Sequence, residues 1–224
     1  MPAASWFSAL ALVDTRQQYY RLFDIYVPIA IGVFALIVVL ALFAVLRFRR
    51  RPVEKAAVWH KNDRLEGAYA LLLTLTVAFL LYLTFSAEHQ VDTVANRQRA
   101  AVTIDVTAAK WEWTFFYPAY GITIRSGTSG VTPFVVPTGE PVRFNLRSVD
   151  VIHALWIYYT RYKHDAIPGS TQVFTLAFPH AGLFDGQCAE FCGLRHPDML
   201  LAAKAVSPSA FAAWAHSHTG RSSG

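Results

Sequence analysis

Two long apolar runs constrain this chain more than any other feature. "VPIAIGVFALIVVLALFAVL" (Val27–Leu46) is twenty residues without a charge, and "GAYALLLTLTVAFLLYLTFSA" (Gly67–Ala87) is twenty-one. As helices each reaches about 30 Å, the thickness of a hydrocarbon core. Both are apolar on every face and flanked by charge, which fits membrane spans better than buried helices of a soluble core. The stretch between them, "RFRRRPVEKAAVWHKNDR", carries Arg47, Arg49, Arg50, Arg51, Lys55, Lys61 and Arg64. Such a basic loop belongs on the cytoplasmic side, so both flanking parts face outward. The first run is too long for a signal-peptide core and has no basic leader or small-residue cleavage site before it. It is read as retained.

The expected organisation is therefore an outward-facing segment over 1–26, a two-helix hairpin over 27–87 with its basic loop at 47–66, and an outward domain from Glu88 onward. Charge is distributed accordingly. The chain has a net charge of +5, but residues 47–66 alone hold seven Lys/Arg against three Asp/Glu, while residues 88–224 hold eleven against ten. A nucleic-acid reader spreads basic residues over a folded face. Here they sit in one short loop, and nucleic acid is excluded as a partner.

After a polar neck at 88–100 the pattern changes to period two. Val102, Ile104 and Val106 alternate, then Trp111, Trp113, Phe115 and Tyr117, then Val142, Phe144 and Leu146, with "TQVFTLAF" following. Gly and Pro punctuate the intervals at 118–121, 126–133, 137–141 and 168–169. Many short strands between turns predict a Greek-key β-sandwich or barrel over 101–217. Ser207-Pro208 reads as a helix cap followed by proline at the first helical position, opening a short helix to about residue 216. The tail at 218–224 is expected to carry no regular structure.

The chain's two cysteines lie in "DGQCAEFCGLRHPDML": Cys188 and Cys192, with Glu190 between, His196 four beyond and Met199 three further on. Two Cys in an oxidising compartment commonly form a disulfide. This one would close a tiny loop, where the entropic gain is smallest, and would leave His196 and Met199 unexplained. Structural zinc wants four N or S ligands, and a thioether suits it poorly. Thiolate, imidazole and thioether together point to copper. A mononuclear blue-copper site uses one Cys, whereas two thiolates on one loop can bridge two ions, given a second His from elsewhere. His153, in the β-like run "VDVIHALW", is the candidate; a lone strand His is otherwise an ordinary core residue.

These segments together resemble subunit II of haem–copper (cytochrome c) oxidases, the subunit bearing the binuclear CuA centre. "DVIH", "KHDAIPG" and "GQCAEFCGLRH" closed by Met199 match, and the family pattern C-x-E-x-x-C-x-x-x-H-x-x-M is met at every position. The resemblance extends to the two-span hairpin and the W-x-W at Trp111 and Trp113. It implies a membrane α-helical hairpin followed by a cupredoxin-like domain. It also implies two copper ions bridged by Cys188 and Cys192, one completed by His153 and Met199, the other by His196 and the Glu190 carbonyl. By the same resemblance the Glu190 carboxylate would hold Mg or Mn at the interface with subunit I, and Asp150 would orient the site from behind its ligands.

Trp111 matches the family's electron-receiving tryptophan, although alternation alone would make it a core residue. Glu66 stands where the family has a glutamate at the mouth of a proton pathway; a carboxylate favoured by a helix N-terminus is the plainer explanation. The implied partners are subunit I with its haem and CuB, subunit III, and a c-type cytochrome or small copper protein as donor. The implied activity is electron delivery for oxygen reduction coupled to proton pumping. The implied place is the bacterial plasma or mitochondrial inner membrane, with the copper domain on the periplasmic or outer face. A CuA subunit of a nitric oxide reductase is the near alternative, and a membrane-anchored copper carrier the distant one. A quinol oxidase subunit would lack the copper ligands. The segment "IYYTRY" departs from the family and is expected to give an aromatic, basic local surface, and the near balance of charge in the outer domain is unlike an acidic dock for a basic cytochrome.

Overall fold

A computed structural model describes residues 15–49, 61–97, 99–219 and 222–223. The beginning of the N-terminal segment and residues 50–60 of the basic loop lie outside the described residues. The chain divides into two units, one over Tyr20–Glu88 and one combining the residues up to Tyr19 with those from His89 on.

The first unit is a helical hairpin. Helix α1 spans Thr15–Phe48 and α2 spans Asp63–Arg97, both long and apolar enough to cross a membrane, with their apolar side chains exposed along nearly the whole length. Each helix runs beyond its apolar run: α1 begins within the expected N-terminal segment, and α2 continues through most of the neck. A helix already nucleated extends into polar sequence at little cost, which hydropathy does not register. Pro28 lies inside α1, a position tolerated in membrane helices where neighbouring groups satisfy the freed carbonyl. Tyr26 ties the pair, donating to the Leu80 carbonyl at 2.7 Å and meeting the Thr84 hydroxyl at 2.6 Å.

The second unit is a two-sheet β-sandwich. Its strands are β1 (Val102–Ala109), β2 (Glu112–Tyr117), β3 (Ile122–Gly127), β4 (Phe134–Pro137), β5 (Pro141–Ser148) and β6 (His153–Ile157). They continue with β7 (Lys163–Ala166), β8 (Gln172–Ala177), β9 (Gly182–Cys188), β10 (Leu200–Val206) and β11 (Ser222–Ser223). One sheet runs β11-β3-β2-β1-β5-β8 and the other β4-β10-β9-β6-β7. The pairs β1–β5 and β4–β10 are parallel, as Greek-key crossings between sheets require, and most other neighbours are antiparallel. The tail is not without structure, because Ser222–Ser223 lie beside Thr123–Ile124 at the edge of the first sheet.

The core lies between the sheets and follows the period-two pattern. Ile104, Val106, Trp113, Phe115, Phe144 and Leu146 of the first sheet are fully buried against Phe134, Leu155, Ile157 and Leu201 of the second. Tyr117 is also fully buried, and its hydroxyl both donates to the Val135 carbonyl and accepts from the Val135 amide at 2.8 and 2.9 Å. Burial pushes that phenol well above its ordinary range. Helix α3 (Pro208–His218) is capped by Ser207, which accepts from the Ala210 amide, and packs Phe211 and Ala215 onto the sandwich. The candidate site lies where β6, β9 and β10 run side by side in the second sheet.

Candidate metal centre

Strand β9 alternates inward at Phe184, Gly186 and Cys188, so the first cysteine enters the core at the strand's last residue. The chain then leaves the sheet for residues 189–199 and returns as β10. Both ends of this loop are held, since Leu200 pairs with Gln187 in the ladder and the Cys188 amide donates to the Met199 carbonyl at 2.9 Å. Within the loop the His196 amide donates to the Gly193 carbonyl, and a 3₁₀ turn at His196–Asp198 with Pro197 at its start turns the chain back. That tight path brings Cys192, His196 and Met199 together.

The remaining donor arrives on a neighbouring strand. β6 pairs with β9 in a register that sets Leu155 opposite Cys188, and the Ala189 amide donates to the Ala154 carbonyl at 2.9 Å. His153 therefore stands beside Cys188. Gly186 permits this approach, because a Cβ there would lie 2.4 Å from the Trp156 carbonyl oxygen and force the strands apart.

Six donor atoms converge. The Cys188 and Cys192 Sγ atoms are 3.8 Å apart and both thiols are free. Cys188 Sγ lies 3.7 Å from His153 Nδ1 and 3.3 Å from the Glu190 carbonyl oxygen. Cys192 Sγ lies 3.4 Å from His196 Nδ1 and 3.9 Å from Met199 Sδ. His153, Cys188, Cys192 and Met199 are buried and His196 half-buried. An ion held at about 2.3 Å from sulfur and about 2.0 Å from an imidazole nitrogen fits between any of these pairs. Six donors exceed the four of a structural zinc site, and two sulfurs plus a thioether are a soft set. The residues fit copper.

The electrostatics favour a cation. Burial raises the Cys188 thiol, but the His153 hydrogen bond and nearby backbone groups outweigh it, and the thiol ionises below its ordinary value. Burial and then the charge of Cys188 push Cys192 up. Two thiolates this close are stable together only with positive charge between them.

Asp150 supports the site from behind, its Oδ1 2.9 Å from His153 Nε2 and its Oδ2 accepting from the Lys110 amide at 2.7 Å. Burial raises its carboxyl, but the bonds from His153 and from the Val151 and Lys110 amides hold it below the usual carboxylate range. Burial lowers the His153 imidazole, yet its bonds to Cys188 and Asp150 raise it overall. With Nε2 fixed on Asp150, Nδ1 is the nitrogen presented to the sulfurs.

Trp111 is not on a strand. It occupies the turn between β1 and β2, half-buried, out of line with the inward row of Trp113, Phe115 and Tyr117. Its indole lies on the metal loop: a Cβ on Gly193 would come within 3.3 Å of the ring, and Gly193 adopts φ +119, a conformation that favours glycine. Trp113, fully buried, packs edge-on to the His153 ring at 6.0 Å. Glu66 lies far along the sequence from these ligands and has a local task, its carboxylate accepting from the Asn62 amide at 3.4 Å while Asn62 caps α2 through the Leu65 amide. The Glu190 carboxylate accepts from Lys163 Nζ at 3.2 Å, and Asp165 meets the same ammonium at 3.5 Å.

Sequence reasoning passed over Gly186, Gly193 and Lys163. A glycine between two ligands was the available signal for Gly193. Lys163 carried none. The segment "IYYTRY" meets expectation at Tyr158, Arg161 and Tyr162, which are exposed, and departs from it at one aromatic. Tyr159 turns inward onto Phe184 with ring centroids 4.8 Å apart, under the Arg16 guanidinium at 4.4 Å, and Thr160 is buried.

The chain resembles known proteins in sequence and in fold. A family model described as cytochrome c oxidase subunit II, periplasmic domain, matches residues 129–206, a stretch that contains all six donor residues and Asp150. The crystal structure of the periplasmic domain of subunit II of cytochrome oxidase (CoxB) of Bradyrhizobium japonicum is 31% identical, with a TM-score of 0.50 over 53% of this chain and 94% of that one. The chain belongs to the cytochrome c oxidase subunit II family. The probable cytochrome c oxidase subunit 2 of Streptomyces coelicolor is 28% identical over 74% of this subunit II chain and 63% of that relative. Cytochrome c oxidase subunit 2 of Cereibacter sphaeroides is 27% identical over 90% of this chain and 76% of its own length. The chain thus spans a little under two thirds of the Streptomyces relative. Two apolar N-terminal helices followed by a cupredoxin-like sandwich is the architecture of this subunit II chain.

Proposed function

We propose that this chain is the electron-accepting subunit of a respiratory terminal oxidase, holding a binuclear CuA-type centre. One observation carries the reading: two unbonded thiols 3.8 Å apart, each within 3.7 Å of a histidine Nδ1, with a thioether and a carbonyl closing the set. Cys188 and Cys192 would bridge the ions, with His153 and Met199 on one and His196 and the Glu190 carbonyl on the other. Copper held there would supply a one-electron store shared between two ions, able to change oxidation state with little rearrangement.

The chain's own residues do the rest. Asp150 and Trp113 hold the His153 ring against rotation, and the loop closure between Cys188 and Met199 resists movement of the bridging sulfurs. Burial of the donors keeps water out and distinguishes the site from the open, releasing site of a copper carrier. Trp111 gives an arriving donor an indole in contact with the backbone one residue from Cys192. Electrons accepted here are passed to the haem of a subunit I for oxygen reduction coupled to proton pumping, with the copper domain on the periplasmic or outer face and a subunit III alongside. For the Glu190 carboxylate to serve Mg or Mn, Lys163 must first release it. Glu66 is assigned only its capping contact; a proton-pathway role would require a partner surface around it.

Purification through this chain from native membranes tests the reading. A haem-bearing partner with copper, consuming oxygen when given a reduced cytochrome or copper protein, is the expected result. A partner that reduces nitric oxide but not oxygen would reassign the complex, and the absence of any haem partner would refute the subunit role.

A further inference from the structure

The outer face of the first sheet, turned away from the core, holds a concavity of about 480 Å³, within the range of small-molecule sites. None of the six donor residues lines it. Strand register builds it. Phe116 of β2 stands opposite Asp105 of β1, and Asp105 stands beside Asn145 of β5, with Thr123 of β3 extending the row past Phe116. Two residues along, Thr114, Thr107 and Arg147 form a second row across β2, β1 and β5.

Two features of these rows exceed what a merely wet sheet face requires. Asp and Asn are depleted from strands, yet Asp105 and Asn145 occupy central strands of this sheet, where Asn145 Nδ2 donates to Asp105 Oδ1 at 2.7 Å. In the second row Arg147 Nε donates to the Thr107 hydroxyl at 3.1 Å. Polar side chains tied to one another across adjacent strands make a preset floor on a rigid support. The second feature is Phe116, 38% exposed on a face whose other lining residues are all polar.

The chemistry of the floor selects its ligand. A carboxylate only accepts, a guanidinium only donates and has N–H groups beyond the one given to Thr107, and threonine hydroxyls do both. Asp105 and Arg147 balance in charge, and the nearby Arg125 is paired with Glu112 at 3.2 Å. A phosphate would meet the Asp105 carboxylate, and a cation would meet Arg147. A hydrocarbon would leave the floor's polar groups without partners. An uncharged molecule with hydroxyls around its rim and C–H groups on one face satisfies every part, its apolar face lying on the Phe116 ring. A sugar ring has that form.

We propose that this groove binds a short, soluble, uncharged saccharide, with Asp105, Asn145 and Arg147 holding its hydroxyls and Phe116 its C–H face. Phe116 is the one apolar side chain in the lining, so no track is offered to an acyl chain, and the ligand is a soluble sugar, not a glycolipid headgroup. The proposal stands independently of the copper reading.

The test is saturation-transfer NMR on the full chain in lipid nanodiscs, since sugar-based detergents would compete for the site. Maltotriose, cellotriose and chitotriose are the probes. At least one should receive saturation, concentrated on the C–H protons of one ring, with a Kd of about 1 mM or tighter. Excess inorganic phosphate should not displace it. Phe116→Ser and Asp105→Asn should each weaken binding by about tenfold, the scale of losing one ring contact or one charged hydrogen bond, with the melting temperature of the domain retained. If Asp105→Asn fails to fold, the surface change Phe116→Ser still decides the matter. Absence of saturation in all three sugars, displacement by phosphate, or unaltered affinity in Phe116→Ser would each overturn the proposal. Binding seen only to a glycolipid embedded in the nanodisc would overturn it as well.

Discussion

At the scale of single residues, Trp111 shows how one displaced position changes a role. Alternation put it in the row of Trp113, Phe115 and Tyr117, and the row is real for those three. Trp111 itself stops one residue short of the strand, in a turn, with its ring on Gly193. A truncation there should therefore act mainly on electron acceptance. Trp111→Ala is expected to slow donor-driven copper reduction by orders of magnitude while copper content holds. Its stability cost should stay below the roughly 3–5 kcal/mol of emptying a fully buried Trp site. Domain melting and donor kinetics on one preparation decide it. A large fall in melting temperature with near-normal kinetics would make Trp111 a packing residue. The ligand residue types and spacing were legible in the chain because covalent neighbours must supply most of the set. The contacts that aim them were not: Gly186 matters only through β6, and Lys163 only through a carboxylate 27 positions away.

At the scale of elements, period two identified the strands whose one face is buried and the other wetter, β1, β2 and β5. It was weak for β4, buried at all four positions, and for β6, buried at four of five, because strands covered on both faces have no alternation to read. The β7–β8 contact carries a pH-dependent consequence. His164 stacks flat on Phe174 with centroids 3.4 Å apart. The residue is half-buried, yet its Nε2 is sealed and has no hydrogen-bond partner among the described residues. Burial lowers this imidazole to about 3. The unfolded chain protonates it near pH 6.5, so the folded state refuses a proton that the unfolded state accepts. Stability from this residue is fully present above pH 6.5 and is lost as pH falls toward 3, at up to about 1.4 kcal/mol per unit. His164→Leu should flatten the fall in domain stability between pH 6.5 and 4, followed by urea unfolding. An acid limb as steep as in the wild type would contradict this.

At the scale of the whole molecule, two solvents wrote two periodicities into one chain. The hairpin residues are apolar all round and exposed, as lipid allows, whereas the sandwich residues alternate. Where the apolar runs stopped the helices did not, and so the neck proved helical. The central claim remains the thiolate pair, and copper analysis with electron paramagnetic resonance on the purified chain tests it most directly. The wild type should hold two coppers per chain with a mixed-valence signal delocalised over both, and Cys192→Ser, which leaves one sulfur unable to bridge, should abolish the delocalisation. A single copper at full occupancy with an ordinary blue-copper spectrum, or a delocalised signal that survives Cys192→Ser, would contradict it.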